Sequence, residues 1–257
     1  YTTLFRSMES VVAKKYEEWL NAPSISEKDK EELRAIAGDE KEITERFYKD
    51  LDFGTGGLRG IRGIGTNRIN VYMIRKATQG LANYMLKSSN EAKEKGIVIA
   101  YDSRIMSQEF ALNTALVMAA NGIKAYLFES LRPTPELSFA VRELKTLAGV
   151  VVTASHNPPE YNGYKVYWDD GAQVVAPHDK LIIDEVNSVS DLSQIKFIEE
   201  DAAKASGLLK IIGKEIDDRF IEEIVKHSIK PEVAKDFGDK FKIVFTPLHG
   251  TGNVPVR

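Results

Sequence analysis

Apolar residues recur at helical spacing through the first fifty residues of the chain, between charged positions. The spacing predicts a helix over residues 7–21, which Pro23 ends. A second helix should begin at Ser26, where acidic residues follow a capping hydroxyl, and end at Gly38. A third should cover residues 39–50. We therefore expect a charged, amphipathic helical extension at the beginning of the chain.

From residue 70 onward, short and wholly apolar segments alternate with segments of helical spacing. The predicted strands are residues 97–101, 124–128 and 149–154. The predicted helices are residues 71–86, 107–121 and 135–145. Strand and helix in alternation indicate a parallel sheet with helices on its faces, and strands without polar positions agree. The pattern predicts an α/β fold, with a mixed, mostly parallel sheet sandwiched by helices.

The end of the chain repeats this pattern only in part. After a charged stretch and Gly207, a helix is predicted over residues 216–229 and a buried strand over residues 241–248. A parallel strand needs a crossover helix, and none follows before Arg257. We therefore expect a piece of a longer protein, cut early in a second, similar α/β domain. The predicted division is an extension at 1–50, a first domain at 51–205 and the beginning of a second at 206–257.

Polar, loop-forming residues follow all three strands predicted before residue 155. Asp102 and Arg104 follow the first strand, Arg132 the second and Ser155 the third. In sheets of this kind, ligands bind outside the carboxyl ends of the strands. We therefore expect these residues to share one functional rim.

Ser155 stands where the third strand meets the segment SHNPP. One interpretation is an ordinary turn, because serine, asparagine and proline commonly form turns. A serine hydrolase is disfavoured, since the segment lacks the G-x-S-x-G elbow. His156 would also be a poor base, because adjacent side chains on an extended segment point to opposite faces. Phosphoryl transfer is the other interpretation, since a serine can carry a phosphate of about −1.5 to −2 charge.

A phosphate on Ser155 needs cationic and amide donors. Lys165 lies on the strand that returns from the same loop, and the upstream segment DFGTGGLRGIRG adds Arg59 and Arg62 to a glycine-rich turn. Glycines let backbone N–H groups approach an anion, and arginine binds phosphate oxygens in pairs. The segment is neither a Walker motif nor a dinucleotide fingerprint. A flexible turn with solvent-facing arginines is an equally good interpretation.

Composition narrows the class of protein further. The 257 residues carry a net charge of −3, which disfavours a nucleic-acid binder with its basic stripe. The lack of cysteine excludes disulfides and thiolate chemistry. The sequence has no apolar run of membrane-spanning length and no signal-peptide block in its first twenty residues. We expect a cytoplasmic protein without nucleic-acid or membrane partners, and the sequence predicts no particular oligomeric state.

Several segments together resemble one enzyme family. TASHNPPEYNGYKVY resembles the phosphoserine loop of the α-D-phosphohexomutases, the phosphoglucomutase and phosphomannomutase superfamily, and FGTGGLRG resembles their arginine loop. AYDSR, RPTPELSFAV and TPLHGTG resemble further family segments, in the family's order. The likeness runs from about residue 51 to the end. The helical extension is most similar to that of the bacterial phosphoglucomutase branch that also resembles phosphopentomutases.

The resemblance implies a reversible isomerisation of glucose 1-phosphate and glucose 6-phosphate. Ser155 would pass a phosphate to the sugar and take the other phosphate back from glucose 1,6-bisphosphate, while Mg²⁺ binds the phosphate on Ser155. Arg59 matches the arginine that contacts the transferring phosphate, Lys165 the general acid/base and His156 a histidine near the sugar hydroxyls. Arg104 would hold a loop. Four further residues would contact phosphate or substrate: Thr55, Gly56, Arg62 and Asn157. Of these, Arg62 has the weaker claim, as a residue that flanks the site.

One family motif is missing from this sequence. The metal-binding form D-G-D-x-D-R does not occur, and the acidic pairs within residues 50–52 and 169–170 look more like a helix end and a turn. We expect the other metal ligands and the sugar-selecting loops beyond residue 257, and the fragment alone to be inactive. Open alternatives are a phosphomannomutase or phosphopentomutase, a phosphatase, and a catalytically silent sugar-phosphate-binding domain.

Overall fold

The computed structural model describes residues 2–54 and 56–257, with side chains described from residue 11 onward. The strands are β1 (Phe53–Gly54), β2 (Gly57–Ile61), β3 (Ile97–Tyr101), β4 (Ala125–Phe128), β5 (Ala148–Val152), β6 (Tyr161–Trp168) and β7 (Leu209–Ile212). The helices are α1 (Thr2–Asn21), α2 (Glu27–Ala35), α3 (Glu40–Phe47), α4 (Val71–Ser88), α5 (Ala92–Lys95), α6 (Ser107–Ala120), α7 (Thr134–Glu143), α8 (His178–Ser188), α9 (Glu200–Ala205), α10 (Lys214–Lys226), α11 (Pro231–Phe237) and α12 (Asn253–Val256).

The seven strands of the described residues form one sheet, in the order β1–β2–β6–β5–β3–β4–β7. Strands β5, β3, β4 and β7 run parallel to one another. Strand β6 runs antiparallel to both β5 and β2, and β1 runs antiparallel to β2. The carboxyl ends of β3, β4 and β5 therefore lie at one edge of the sheet. The predicted α/β fold with a mixed, mostly parallel sheet is confirmed.

Helices cover both faces of the sheet. Leu81, Phe110 and Ile182 of α4, α6 and α8 share one core cluster with residues of β3 and β5, on one face of the sheet. Leu137 and Ile216 of α7 and α10 pack on the other face. The central strands are thus buried on both sides, which is why their sequences lack polar positions. None of the helices in the described residues is long and apolar enough to cross a membrane.

The three N-terminal helices share a core with the first turn of α4. Trp19 of α1 makes edge-to-face contacts with Phe47 of α3 and Tyr72 of α4, at ring-centroid distances of 5.8 and 5.6 Å. The Tyr72 hydroxyl donates to Asp29 at 2.6 Å and accepts from the Ser26 amide at 2.8 Å. Ser26 caps α2, as its sequence position predicted. The helical extension is therefore packed directly against the α/β domain.

Strand β7 continues the sheet beyond residue 205, the predicted end of the first domain. It pairs in parallel with β4, and α10 after it covers the sheet through Ile216. The strand lies at the edge of the sheet, and its two middle residues face solvent. Its sequence therefore lacks the long apolar run that made the inner strands predictable.

The predicted buried strand at residues 241–248 is wrong. The structure forms no strand there, and the apolar side chains are exposed, Val244 by 98%. A strand needs a neighbour to satisfy its backbone N–H and C=O groups. No segment of the described chain pairs with these residues. The apolar sequence alone does not supply that neighbour.

Candidate active site

Two of the three predicted strand ends meet at one cleft, beyond β3 and β5. The cleft has a volume of about 440 Å³. The residues that line it are Asp102, Ser103, Arg104, Ile105, Ser155, Asn157, Pro159 and His249. Arg132, at the end of β4, is instead buried and forms an ion pair with Asp217 of α10 at 2.7 Å. The shared rim therefore joins β3 and β5, and Arg132 is not part of it.

Ser155 sits in a strained backbone conformation that exposes its side chain. Its φ is +57°, in the left-handed region that residues other than glycine seldom adopt. Its amide donates to the Thr153 hydroxyl at 2.9 Å, and the Asn157 amide donates to the Ala154 carbonyl at 3.1 Å. These bonds close a tight turn directly after β5. Backbone strain of this kind concentrates at functional sites.

His156 lies next to the Ser155 hydroxyl, which corrects the sequence-based expectation of opposite faces. The Ser155 Oγ and the His156 Nδ1 are 3.4 Å apart, at the long end for a hydrogen bond. The expectation assumed an extended segment. The left-handed turn at Ser155 instead brings the two exposed side chains together.

Arg104 holds the segment at residues 153–161, which we call the serine loop. Its guanidinium donates to four backbone carbonyls of this loop, at 2.6–3.0 Å. The four carbonyls belong to Ser155, Asn157, Pro158 and Tyr161. Arg104 also lies 3.4 Å from the Asp102 carboxylate, and only 14% of its side chain is exposed. The planar, five-donor guanidinium suits this role, which a lysine could not fill.

A second set of polar contacts fixes the end of β3, and the sequence analysis missed it. Asp102 Oδ1 accepts from the Arg104 amide at 2.9 Å and from the Ser107 hydroxyl at 2.7 Å. The Ser107 hydroxyl in turn accepts from Asn162 Nδ2 at 3.0 Å. Asn162 is fully buried at the beginning of β6. These contacts tie the loops after β3 and before β6 together, so the cleft has a rigid floor.

Arg59 and Lys165 lie on the same face of neighbouring strands. In the β2–β6 pairing, Arg59 is opposite Gly163 and Gly57 is opposite Lys165. Directly opposed residues of an antiparallel pair share a face. A Cβ at Gly163 would lie 2.5 Å from the Thr153 carbonyl oxygen, so glycine allows β6 to approach β5 closely here. Neither Arg59 nor Lys165 lines the cleft. Lys165 lies directly beside β5, the strand that leads to the serine loop, and Arg59 lies one strand further out, on β2.

The surroundings of Lys165 make its neutral form more accessible than that of an ordinary lysine. Burial lowers the pKa of Lys165, and the nearby positive charge of Arg59 lowers it further. The Asp102 carboxylate acts in the opposite direction but does not outweigh them. Desolvation and a second cation are the two conditions under which a lysine can act as a base.

The glycine-rich turn before β2 is explained in part by packing. Gly57 has a φ of +152°, and a Cβ there would lie 1.8 Å from the Tyr164 carbonyl oxygen. Gly56 has a φ of +82°, and its carbonyl accepts from the Val166 amide at 2.9 Å. Gly57 therefore lets the chain approach β6, whereas a Cβ at Gly56 would meet the side chain of Gln173. Thr55, a predicted phosphate ligand, lies outside the described residues.

Arg62 and Asn157 differ in their relation to the cleft. The Arg62 amide donates to the Glu160 carbonyl at 2.9 Å, which joins the end of β2 to the serine loop. Asn157 lines the cleft, and Arg62 does not. Arg62 Nε and Asn157 Oδ1 are both buried without a hydrogen-bond partner among the described residues. Asn157 Oδ1 is thus an unpartnered acceptor at the cleft wall.

In each of the acidic pairs near residues 50 and 170, one aspartate has a structural partner. Asp50 forms ion pairs with Lys15 and Lys76, each at 2.9 Å. Burial raises the pKa of Asp50, but hydrogen bonds from the two lysines outweigh this and leave the pKa below its ordinary value. Asp170 Oδ1 accepts from the Ala172 amide at 2.8 Å, within a turn. Across the described residues, no three His, Cys, Asp or Glu side chains form a cluster that could hold a metal ion.

Comparison with known proteins points to one family. Residues 50–193 match the family model described as phosphoglucomutase/phosphomannomutase, alpha/beta/alpha domain I. The chain is similar to the phosphopentomutase of Homo sapiens, with 37% identity over 227 residues, 86% of this chain and 37% of the relative. It is also similar to the phosphoglucomutase of Staphylococcus aureus strain MRSA252, with 40% identity over 215 residues, 84% of this chain and 37% of the relative.

A solved structure supports the fold. The open form of pp63/parafusin, a phosphoglucomutase from Paramecium, superposes with a TM-score of 0.62 and 19% sequence identity, over 81% of this chain and 40% of that one. At this identity the likeness concerns the fold alone. The chain spans 37% of the length of each of the two curated relatives.

Proposed function

Because the chain belongs to the phosphoglucomutase/phosphomannomutase family, we propose that its protein interconverts glucose 1-phosphate and glucose 6-phosphate through a phosphate carried on Ser155. The observation that carries the proposal is the position of Ser155. It is a left-handed residue directly after β5, and its exposed hydroxyl stands at the wall of a cleft. The four carbonyl contacts of Arg104 hold that position.

In the proposed reaction, the bond between phosphorus and the Ser155 oxygen breaks as one forms to the 6-hydroxyl of glucose 1-phosphate. The product is glucose 1,6-bisphosphate, and the hydroxyl proton passes to a base. The bond between phosphorus and the oxygen at carbon 1 then breaks as one forms to the Ser155 oxygen. The Ser155 proton passes to the oxygen at carbon 1, and glucose 6-phosphate is released. The second transfer restores the phosphoserine, so phosphate is not consumed. Catalysis of such transfers depends on positioning and charge neutralisation.

Lys165 is the proposed acid and base. Its lowered pKa makes the neutral amine more accessible than that of an ordinary lysine, so it can accept the proton of the sugar hydroxyl. A phosphate dianion on Ser155 would favour the ammonium form by charge attraction. The ammonium form can protonate the departing oxygen. In the first transfer Lys165 thus accepts the proton of the 6-hydroxyl as the amine and returns it, as the ammonium, to the Ser155 oxygen that the phosphate leaves.

The remaining residues have binding roles in this proposal. Arg59 grips the transferring phosphate with its forked guanidinium, on the same sheet face as Lys165. His156, 3.4 Å from the Ser155 hydroxyl, contacts the sugar hydroxyls. Asn157, which lines the cleft, is proposed as a substrate ligand. The others proposed at the phosphate are Thr55, Gly56 and Arg62.

Magnesium is proposed as the cofactor, with the phosphate of Ser155 as one of its ligands. It would neutralise charge on the transferring phosphate. The side chains of the described residues do not by themselves build a metal site. The steps above do not depend on any side chain of the described residues binding the metal.

The test is phosphate uptake by the full-length protein. Incubation with glucose 1,6-bisphosphate should add one phosphate, which peptide mass spectrometry should locate on Ser155. Ser155→Ala should abolish uptake and nearly all mutase turnover while the fold is retained. Ser103→Ala is the matched control, because Ser103 places a second hydroxyl on the same cleft, and it should still be phosphorylated at Ser155. Normal turnover by Ser155→Ala would refute the proposal.

The same experiment distinguishes the proposed mutase from the alternative functions. A silent binding domain would take up no phosphate, and a phosphatase would release free phosphate rather than isomerised sugar. The preferred sugar needs its own comparison, because the relatives include both a phosphopentomutase and a phosphoglucomutase. Turnover of glucose 1-phosphate, mannose 1-phosphate and ribose 1-phosphate in parallel would rank them. We expect glucose 1-phosphate to give the highest kcat/KM.

A further inference from the structure

Side chains of the N-terminal helices hold the segment at residues 62–68, which follows β2, the strand that carries Arg59. Glu32 of α2 accepts the Ile64 amide at 3.1 Å, and Arg46 of α3 donates to the Ile64 carbonyl at 3.1 Å. Glu32 and Arg46 also form an ion pair at 2.6 Å, and Arg46 is only 13% exposed. Both backbone groups of one residue are thus satisfied by a single ion pair from the extension.

The contacts of the segment at residues 62–68 continue along α3. The Asn67 amide donates to the Arg46 carbonyl at 2.9 Å, and the Thr66 hydroxyl donates to the Lys49 carbonyl at 2.6 Å. At Gly65, where φ is +139°, a Cβ would lie 2.8 Å from the Arg46 carbonyl oxygen. Only glycine fits this approach. The segment is therefore pressed against the extension along most of its length.

The same segment touches the proposed site at its other end. The Arg62 amide donates to the Glu160 carbonyl of the serine loop at 2.9 Å. Arg59 borders a cleft of about 220 Å³ whose other wall includes Glu45 and Lys49, at the end of α3 and just beyond it. The segment at residues 62–68, which directly follows β2, is thus held by the extension along its length and by the serine loop at Arg62.

We propose that Glu32 and Arg46 are positioning residues, which act through β2 to place Arg59 against the phosphate carried on Ser155. The inference rests on the proposed function. Loss of Glu32 leaves the Ile64 amide and the Arg46 guanidinium without their shared partner. The segment at residues 62–68 then loosens, and Arg59 at the preceding strand loses its fixed distance to the serine loop. Displacements of about 1 Å in a positioned group can cost up to about 10²-fold in rate.

The kinetic test uses Glu32→Ala in the full-length protein. Glu31→Ala is the matched control on the same helix, since Glu31 is exposed like Glu32 but takes no part in the contacts with Ile64 and Arg46. We expect Glu32→Ala to lower kcat about tenfold and to change KM for glucose 1-phosphate less than about twofold. Glu31→Ala should change neither. In an Arg59→Ala background, Glu32→Ala should have little further effect on kcat. Additive losses would mean that Glu32 does not act through Arg59, and would overturn the proposal.

A second readout does not depend on activity. Arg59 lowers the pKa of Lys165, so release of Arg59 should raise the pKa of Lys165 in Glu32→Ala but not in Glu31→Ala. NMR titration of ¹³C-methylated lysines measures it. A protein without mutase activity would refute the proposed function, while this titration would still decide whether Glu32 positions Arg59. Should Glu32→Ala not fold, Glu32→Gln removes the charge and keeps one acceptor oxygen. An unchanged Lys165 titration in the folded variant would contradict the inference.

Discussion

Replacement of Glu136 by glutamine should remove a pH dependence of folding stability. Glu136 of α7 is fully buried, and the Arg132 guanidinium 3.7 Å away already forms hydrogen bonds of 2.7 and 2.8 Å to Asp217. Two carboxylates therefore compete for one cation. Burial, together with Asp217, raises the pKa of Glu136 to about 8 from an ordinary value of 4.5. Burial opposes ionisation of Asp217 as well, but its hydrogen bonds with Arg132 hold its pKa below the usual range.

The sign follows from proton uptake. Above about pH 4.5 the unfolded chain has lost the Glu136 proton, whereas the folded protein keeps it until about pH 8. The folded state therefore binds more protons in this window, and its stability falls as pH rises through it. The slope is at most about 1.4 kcal/mol per pH unit, or about 3 kcal/mol between about pH 5.5 and about pH 7.5. The lowered pKa of Asp217 acts below this window.

The assay is urea unfolding of wild type and Glu136→Gln at a series of pH values. The difference in unfolding free energy between the two proteins is the relevant quantity, because histidines titrate in both. We expect this difference to shift in favour of Glu136→Gln by 1 kcal/mol or more from about pH 5.5 to about pH 7.5. Glu129→Gln is the control, because Glu129 contacts the same arginine at 3.4 Å but is 57% exposed. Parallel stability curves for wild type and Glu136→Gln would refute the reasoning.

Two further substitutions test the proposed site. Arg59→Lys should lower kcat/KM of the full-length protein more than Arg62→Lys does, because the single charge of a lysine does not replace the paired N–H donors of a guanidinium. Equal effects in steady-state kinetics would contradict that ranking. Arg104→Lys should free the serine loop, since one ammonium group cannot reach four separated carbonyls. Loss of these charge-assisted bonds should lower the local opening free energy by at least about 2 kcal/mol, measured as faster hydrogen exchange of the Asn157 and Tyr161 amides. Unchanged protection would mean that Arg104 does not hold the loop.

The inner elements of the sheet could be read from the sequence because each is specified locally. Residues 97–101 are apolar throughout, and the structure places β3 at those residues, buried on both faces. Helix starts were equally readable where a side chain caps its own helix, as Ser26 and Asp39 do. Such signals involve residues within a few positions of one another, so no knowledge of the rest of the fold is needed.

Strands at the edge of the sheet could not be read in this way. Leu209–Ile212 is a strand because β4 offers it backbone partners, although two of its four residues face solvent. Residues 241–248 have the more strand-like sequence and form none. A strand is completed by hydrogen bonds to a distant segment, and the sequence of the strand carries no record of whether that segment is present.

In the candidate site, too, some features follow from the local sequence and others from contacts between distant segments. The sequence by itself identified Ser155 at a strand end and Lys165 on the returning strand, because both belong to one continuous stretch of chain. Only the tertiary structure decided that Ser155 adopts a φ of +57° and so brings His156 to 3.4 Å. In the tertiary structure Arg132 also points inward and binds Asp217, 85 positions further along the chain. Arg104 likewise binds carbonyls more than 50 positions away. Long arginine side chains find their partners in space, and spacing along the sequence does not encode that choice.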